Sequence, residues 1–221
     1  MKKAVILLSG GLDSTTTLYL AKRKGFKCYC LIFDYGQRHR KEIRCAELIA
    51  KRSNFPYKII KIQFPWKGSA LLEKNKKILK HCKQRNKKEI PSTYVPARNI
   101  IFLSFALSYA EAINAEAIFI GAHIQDYPGY PDCRPQFFRA FKEIIIKGSK
   151  TGVEQKRINI FTPLINKTKA EIIKLAKQLN VPLELTWSCY QGKRKPCRRC
   201  DSCYYRAKGF KEAGIKDPLL R

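Results

Sequence analysis

The stretch Ser9-Gly10-Gly11-Leu12-Asp13-Ser14 decides the fold of this chain, because it joins an apolar strand to a helix. The preceding run Val5-Ile6-Leu7-Leu8 is typical of a short buried strand, and residues 15–24 predict a helix. Small residues in such a turn let backbone N–H groups point into one place, where the positive end of the helix dipole adds to their field. We therefore interpret residues 9–14 as a cradle for a phosphate or pyrophosphate. Its spacing differs from that of P-loop and dinucleotide-binding turns.

Apolar runs and helical patterns alternate along the chain, which predicts a parallel sheet covered by helices. Strands are predicted at residues 3–8, 28–33, 57–62, 117–120 and 158–161, and helices at 15–24, 39–53, 97–112, 136–147 and 168–179. The segment 97–112 is so apolar that we expect a buried helix. The expected fold class is α/β, with a five-stranded, mainly parallel sheet, helices on both faces and a small C-terminal region.

The length of 221 residues suits one ordinary α/β domain with a small appendage, which we place at residues 1–180 and 181–221. The apolar run after Lys2 and Lys3 is too short for a signal peptide, and no run is long enough to cross a bilayer. We therefore expect a soluble, cytoplasmic protein without a membrane partner.

Five loops follow the carboxyl ends of the predicted strands, where ligands bind in open parallel sheets. They are residues 9–14, 34–39, 63–96, 122–135 and 162–168. Four of these loops are rich in polar residues, which places the informative segments on one side of the molecule. The sequence thus predicts a ligand site at that edge of the sheet.

The formal net charge of +28 raises the expectation of a nucleic-acid partner. Most of the excess is lysine spread along the chain, with concentrations at residues 74–88 and 193–199. A solvated lysine-rich surface explains this pattern as well as RNA contact does. A nucleic-acid partner is therefore possible but not required, since an anionic small molecule also favours a positive field.

Four of the nine cysteines cluster near the C-terminus: Cys189, Cys197, Cys200 and Cys203. Without a secretory signal, we expect thiols or metal ligands rather than disulfides. Four thiolates at this spacing suit tetrahedral Zn²⁺, and a closed four-sulfur site has a structural role. An iron–sulfur cluster also takes four thiolates and stays an alternative. We favour zinc, because the other motifs indicate phosphate chemistry rather than electron transfer.

Segments spread over nearly the whole chain resemble the 7-cyano-7-deazaguanine synthases of the ATP pyrophosphatase superfamily. Residues 9–14 are similar to the S-G-G-x-D-S loop of that superfamily. The match continues through Phe33-Asp34-Tyr35-Gly36-Gln37-Arg38-His39 with Glu42, Thr93-Tyr94-Val95-Pro96-Ala97-Arg98-Asn99, Gly129-Tyr130-Pro131-Asp132-Cys133-Arg134-Pro135, Thr168-Lys169-Ala170-Glu171-Ile172 and the cysteine-rich tail. The segments at residues 93–99 and 129–135 together are the most specific. Arg198 stands where members of this family usually carry glycine.

This resemblance implies an adenine nucleotide alpha hydrolase-like fold and an ATP-dependent ligase that makes 7-cyano-7-deazaguanine from 7-carboxy-7-deazaguanine and ammonia. The substrate carboxylate would be adenylated, converted to an amide and then activated again to give the nitrile, a precursor of queuosine and archaeosine. The implied cofactors are ATP, Mg²⁺ and Zn²⁺, and relatives are often homodimers. Residues 1–180 would bind ATP and substrate, and residues 181–221 would bind zinc.

With this family in view, residue chemistry assigns the nucleotide site. The expected ATP-binding residues are Leu8, Ser9, Gly10, Gly11, Leu12, Asp13, Ser14, Thr15 and Lys169. Asp13 is expected to coordinate Mg²⁺, a cation that prefers oxygen ligands, although a helix N-cap role is compatible with the same position. Arg98 would neutralise a phosphate or the substrate carboxylate. Asp13 and Arg98 are thus the candidate catalytic residues.

The loop at residues 126–135 is expected to hold the deazaguanine ring. Asp132 or Asp126 would accept hydrogen bonds from the N–H edge of the ring, and Tyr127, Tyr130 or Phe137 would stack on it. Arg134 would pair with the carboxylate of the substrate. The alternative is a proline-rich surface loop with solvated aspartates.

Two other functions stay open at this point. A related enzyme could adenylate a tRNA base directly, which the positive charge favours and the match at residues 129–135 disfavours. A zinc-containing nucleic-acid-binding module without catalysis is the second alternative, and the intact Ser9, Asp13 and Ser14 argue against it.

Overall fold

The computed structural model describes residues 1–81, 89–123 and 129–220. The strands are β1 (Lys3–Leu7), β2 (Lys27–Asp34), β3 (Tyr57–Lys61), β4 (Ala117–Phe119) and β5 (Asn159–Phe161). The helices are α1 (Leu12–Arg23), α2 (Lys41–Arg52), α3 (Arg98–Ala112), α4 (Pro135–Gly148), α5 (Lys150–Val153), α6 (Lys169–Gln178) and α7 (Asp201–Ala213). Short 3₁₀ helices lie at Pro131–Cys133, Leu183–Leu185 and Pro218–Leu220. Within these ranges, no helix is long and apolar enough to cross a membrane.

The strands form one sheet in the order β3-β2-β1-β4-β5, and each neighbouring pair is parallel. The order reverses at β1, because the chain first builds outward to β3 and then adds β4 and β5 on the other side. Such a reversal opens a crevice beyond the carboxyl ends of the strands. The predicted α/β class and five-stranded parallel sheet are confirmed.

Apolar side chains alternate between the two faces of β1, and helices cover both faces. Leu7 packs in one apolar cluster with Leu103 of α3. Ile6 points to the opposite face and packs with Leu18 of α1 and Ile49 of α2. Burial of each such side chain stabilises the fold by roughly 1.5–3 kcal/mol. The prediction of helices on both faces of the sheet is confirmed.

The helix α3 is not buried as its composition suggests. Its stripe of Leu103, Ala106 and Ala110 packs on the sheet, but Ile100 is 43% exposed and Phe105 is 41% exposed. A helix that covers one face of a sheet buries only one side, whatever the composition of the other. The helix expected at residues 97–112 is confirmed, but the expectation that it is buried is wrong for its outer side.

The sequence pattern does not predict α7, which spans 13 residues of the C-terminal region. One reason is its buried Arg206, whose guanidinium donates to Asp217 at 2.8 and 2.9 Å. From the sequence alone, the arginine of a buried ion pair cannot be distinguished from an exposed one. At Gly209, α7 approaches α6 so closely that an added Cβ would lie 2.8 Å from the Cβ of Lys169.

Candidate active site

A cavity of about 260 Å³ opens beyond the carboxyl ends of β1, β2 and β4, where the strand order reverses. Leu8 lines it after β1, Tyr35 after β2 and Ile120 after β4. The C-terminal region adds Trp187 and Tyr190 to the wall. The cavity thus lies at the edge of the sheet where the loop sequences place a ligand site.

The glycine-rich loop at residues 9–14 keeps its shape through its own serines and Gly10. The hydroxyl oxygens of Ser9 and Ser14 are 3.0 Å apart, and the backbone N–H of Gly11 donates to Ser9 Oγ at 3.3 Å. Gly10 has a φ of 79°, and a Cβ there would collide with the backbone oxygen of Glu42. Only glycine suits such a position without strain.

Most of the predicted nucleotide-binding residues line this cavity: Leu8, Ser9, Gly11, Leu12, Asp13, Ser14 and Lys169. Gly10 and Thr15 are not among the lining residues. Gly10 packs against the start of α2, and Thr15 is fully buried with its hydroxyl donating to the Gly11 oxygen at 2.7 Å. These two residues stabilise the loop without lining the cavity.

Asp13, Lys169 and His123 form a charged group beside the loop. The Nζ atom of Lys169 donates to both carboxylate oxygens of Asp13 at 2.8 and 2.9 Å, and it lies 2.9 Å from Nε2 of His123. A capping box between Thr168 and Glu171 fixes the start of α6 and so positions Lys169.

The charge of Asp13 follows from these contacts. Burial raises the pKa of Asp13, but the Lys169 ammonium and the neighbouring His123 lower it by more, so the net pKa lies well below its usual range. Asp13 is therefore a carboxylate at neutral pH. A Mg²⁺ ion at Asp13 would compete with Lys169 for the same two oxygens.

Arg98 begins α3 and reaches the cavity beside Tyr35, whose hydroxyl oxygen accepts a hydrogen bond from Nη1 at 3.2 Å. Burial lowers the pKa of Arg98, but Tyr35, Tyr130 and Asp132 raise it by more, so the net pKa lies above its usual value. Burial also raises the pKa of Tyr35 to about 12. The cavity therefore contains a permanent positive charge next to a neutral phenol.

The predicted substrate-binding residues lie in different surroundings. Tyr130 is buried and lines the cavity. Asp132 is not among the lining residues, and its Oδ2 accepts the backbone N–H of Asn99 at 3.0 Å, which caps the first turn of α3. Arg134 is exposed and also outside the lining. Asp126 lies outside the described residues.

Several cavity residues received no role from the sequence: Glu42, His123, Trp187, Ser188, Ser202 and Arg206. His123 closely follows β4 at the carboxyl edge of the sheet, and this position is the signal that could have identified it. Trp187 and Arg206 come from the C-terminal region, whose packing against the loop no local pattern reveals.

The cysteine cluster has the geometry of a metal site. The Sγ atoms of Cys189, Cys197, Cys200 and Cys203 all lie within 4.8 Å of one another. The sulfurs of Cys197 and Cys203 are 3.9 Å apart. Thiolates about 2.3 Å from one Zn²⁺ ion form a tetrahedron with edges of about 3.8 Å. The backbone N–H groups of Cys197 and Gln191 donate to Cys189 Sγ at 3.3 and 3.4 Å, which stabilises a thiolate there.

A parallel sheet with a glycine-rich loop after its central strand and a cavity at the reversal of strand order is the arrangement typical of nucleotide-binding α/β proteins. The fold is shared by NMN synthetase from Francisella tularensis, with a TM-score of 0.52 and 17% identity over 97% of this chain and 78% of that one. A 4-thiouridine synthetase in complex with RNA and ATP has a TM-score of 0.54 and 18% identity over 96% of this chain and 50% of that one. At these identities, the likeness shows the fold alone.

Sequence relatives are far closer. The family described as "Queuosine biosynthesis protein QueC" matches residues 3–214. A 7-cyano-7-deazaguanine synthase from Acetivibrio thermocellus is 54% identical over 220 residues, which are 99% of this chain and 97% of that protein. A synthase of the same name from Thermoplasma volcanium is 50% identical over 99% of this chain and 90% of that protein. The chain belongs to the QueC family, which confirms the resemblance.

Proposed function

We propose that this protein converts 7-carboxy-7-deazaguanine, ammonia and ATP into 7-cyano-7-deazaguanine, the product named for its relatives. The observation that carries the proposal is the cavity that brings together Lys169, Arg98 and the glycine-rich loop at residues 9–14, which we call the anion loop. The chemical difficulty is a carboxylate, which repels nucleophiles and releases its oxygen poorly. Adenylation makes that oxygen part of AMP, which departs readily.

Catalysis in this scheme consists of holding several anions together and neutralising them. The backbone amides of residues 9–14 and the hydroxyls of Ser9 and Ser14 would hold the departing pyrophosphate. Lys169 would move from Asp13 to a phosphate oxygen, and Arg98 would neutralise the substrate carboxylate as it approaches ATP. The side chains in question all belong to residues that line the cavity: Ser9, Ser14, Arg98 and Lys169.

The carbon–nitrogen chemistry follows from the adenylated intermediate. Ammonia attacks the activated carbon, the C–O bond to AMP breaks, and loss of a proton from nitrogen leaves the amide. A second adenylation on the amide oxygen makes that oxygen a leaving group. Loss of AMP and of the remaining N–H protons then forms the carbon–nitrogen triple bond.

Mg²⁺ fits beside Asp13, because this cation binds through one or two carboxylates together with substrate phosphates. When bound there, it would neutralise phosphate charge. Asp13 would offer its oxygens once Lys169 has turned to a phosphate, so the observed ion pair keeps the carboxylate charged and oriented until then.

Zn²⁺ fits the four cysteines, and its role would be structural because the sulfurs leave no open position. The compact sulfur spacing supports one ion rather than an iron–sulfur cluster, whose several metal atoms need thiolates farther apart. Bound zinc would order the residues between Cys189 and Cys200, which precede α7.

The test is incubation of the purified protein with ATP, Mg²⁺, ammonium and 7-carboxy-7-deazaguanine, with mass spectrometry of the base. We expect the amide and then the nitrile, with release of AMP that depends on the base. Release of AMP only when tRNA is added, with no change in the mass of the free base, would contradict the proposal and favour direct adenylation of a tRNA base.

A homodimer, a cytoplasmic location and the division into residues 1–180 and 181–221 are also proposals. The exposed apolar side chains of Ile100 and Phe105 on α3 would lie in the dimer interface. The need for ATP supports the cytoplasm, and a nucleic-acid partner is not required. Sedimentation of a Phe105→Glu variant beside the wild type tests the dimer, and identical dimeric behaviour would place the interface elsewhere.

A further inference from the structure

Two carboxylates line the cavity among the described residues, and they differ in what they offer to a ligand. Asp13 already accepts hydrogen bonds from Lys169 with both of its oxygens. Glu42 lies in the first turn of α2, and its side chain is 14% exposed. Asp132, the acceptor expected from the sequence, is occupied in capping α3. Glu42 is therefore the cavity carboxylate with capacity left for a substrate.

One oxygen of Glu42 is held by two neighbours, and the other has no partner within the described part of the chain. The Oε1 atom lies 3.1 Å from Nε2 of His39 and accepts from Nε2 of Gln37 at 3.3 Å. Gln37 is itself fixed, because its Oε1 accepts the backbone N–H of Tyr35 at 2.8 Å. His39 and Gln37 are 4% and 1% exposed. The carboxylate is thus held in one orientation, with Oε2 left as an acceptor.

The surroundings of Glu42 decide which ligand suits this oxygen. Mg²⁺ needs several oxygen ligands, whereas the neighbours of Glu42 present nitrogen atoms, from His39 and Gln37. A free ammonium ion is small and mobile, and a single carboxylate in a wide cavity holds it weakly. The walls near Glu42 are aromatic, with the ring of Tyr190 5.7 Å from that of His39 and with Trp187 also in the lining. A flat ring with N–H donors on its edge meets all of these conditions.

We propose that Glu42 recognises the guanine-type edge of the substrate, with Oε2 accepting hydrogen bonds from the ring N–H and the exocyclic 2-amino group. This inference rests on the proposed function for the identity of the base. It makes Glu42 a specificity-determining residue, positioned by His39 and Gln37. The role that the sequence gave to Asp132 or Asp126 passes to Glu42, whose backbone oxygen lies beside Gly10 of the anion loop.

The experiment compares two bases and three proteins. The bases are 7-carboxy-7-deazaguanine and the analogue in which hydrogen replaces the 2-amino group. The proteins are the wild type, Glu42→Gln and the matched control Glu47→Gln, which changes a carboxylate of the same helix that is not among the cavity-lining residues. The readouts are kcat/KM for each base, KM for ammonium, the Mg²⁺ dependence and equilibrium binding of each base without ATP.

The wild type and Glu47→Gln should prefer the amino-bearing base by about 10- to 100-fold in kcat/KM, as expected for hydrogen bonds to a charged group. Glu42→Gln should lose that preference, with the loss in KM for the base rather than for ammonium. A preference that survives in Glu42→Gln overturns the inference. Equal kcat/KM for the two bases in the wild type also overturns the inference, and this measurement does not depend on whether a variant folds.

Other outcomes separate this inference from the proposed function. A raised KM for ammonium or a shifted Mg²⁺ dependence in Glu42→Gln, with unchanged binding of the base, would assign Glu42 to that ion and overturn the inference. Binding of the base that depends on Glu42 and on the 2-amino group, without formation of the nitrile, would support the inference while contradicting the proposed function. Absence of base binding by the wild type would contradict both.

Discussion

The backbone N–H of Trp187 donates a hydrogen bond to the carbonyl oxygen of Gly10 at 2.9 Å. The indole N–H of the same residue donates to the carbonyl oxygen of Cys189 at 3.0 Å. Trp187 therefore connects the anion loop to Cys189, the first cysteine of the cysteine cluster. The Lys41 ammonium lies 3.9 Å from the centre of the indole ring and makes a cation–π contact with it. The order of the loop depends in this way on the order of the C-terminal region.

Replacement of Cys200 by serine should lower metal content, stability and activity together. A structural metal contributes directly to folding free energy, so loss of one thiolate weakens both. We expect zinc well below one equivalent per chain by elemental analysis, a lower melting temperature and a raised KM for ATP. The last effect follows from the Trp187–Gly10 hydrogen bond.

Cys45→Ser is the matched control for this experiment, because Cys45 is a free, partly buried thiol outside the cluster. It should keep its metal and its KM for ATP. Full zinc occupancy in Cys200→Ser would show that the four cysteines do not form the site. Normal ATP binding in a zinc-depleted protein would contradict the coupling through Trp187.

Replacement of Asp13 by asparagine should abolish formation of AMP while leaving the fold largely intact. The change keeps the shape of the side chain but removes the charge that holds Lys169 at 2.8 Å. Loss of a comparable preorganised group in other active sites lowers kcat by about 100- to 1,000-fold. Asp34→Asn is the control, since Asp34 pairs with the exposed Arg40. Near-normal turnover of Asp13→Asn would remove this carboxylate from the mechanism.

The same variant should change how stability depends on pH. Asp13 has an ordinary pKa of 3.8 in an unfolded chain and a lower one in the folded protein, since Lys169 and His123 outweigh the effect of burial. Its contribution to the free energy of unfolding is therefore fully present above that value and is lost as the pH falls through the folded pKa. Urea titrations of both proteins should give a constant difference near neutral pH that shrinks under strong acid. A difference independent of pH would contradict the ion pair.

The anion loop and the cysteine cluster were predictable because each is a local pattern. Glycine is required at position 10 by the positive φ and by the close backbone oxygen of Glu42, and short spacings along the chain bring the four cysteines together. The surroundings of Asp13 could not be predicted in this way, because Lys169 and His123 are 156 and 110 residues farther along the chain. Only the sheet order brings the three together, and a pairing register is not visible in one sequence.

The role of Asp132 shows a second limit. A carboxylate in a proline-rich loop is as suitable for a ring edge as for a helix N-terminus, and the residue type does not separate the two. The structure places it at the start of α3, on the backbone N–H of Asn99. Glu42 has the same chemistry, but its orientation depends on contacts with the buried side chains of His39 and Gln37. Those contacts cannot be predicted from the sequence.

Replacement of Gly121 by alanine should damage the loop without touching any charged group. A Cβ at this position would lie 2.8 Å from the backbone N of Ser14 and 2.9 Å from the backbone carbon of Asp13. Backbone atoms at that distance cannot move aside cheaply, so we expect both a lower melting temperature and a weaker affinity for ATP. Gly148→Ala is the control, since a Cβ there would meet only a side-chain atom of Ile144, at 4.0 Å. Unchanged ATP binding in Gly121→Ala would contradict the tight packing of β4 against the loop.

Replacement of Arg198 by glycine should stabilise the protein. Arg198 has a φ of 58°, in the left-handed region, between two cysteines of the cluster. That conformation costs a residue with a side chain about 1–2 kcal/mol, whereas glycine adopts it freely and loses roughly 0.5–1 kcal/mol through the entropy of the unfolded chain. The net gain of about 0.5 kcal/mol should raise the melting temperature by about 1–2 °C. Arg199→Gly is the control, because Arg199 is not among the residues with positive φ and should be destabilised instead. A melting temperature of Arg198→Gly below that of the wild type would show that the arginine side chain contributes more than its backbone strain costs.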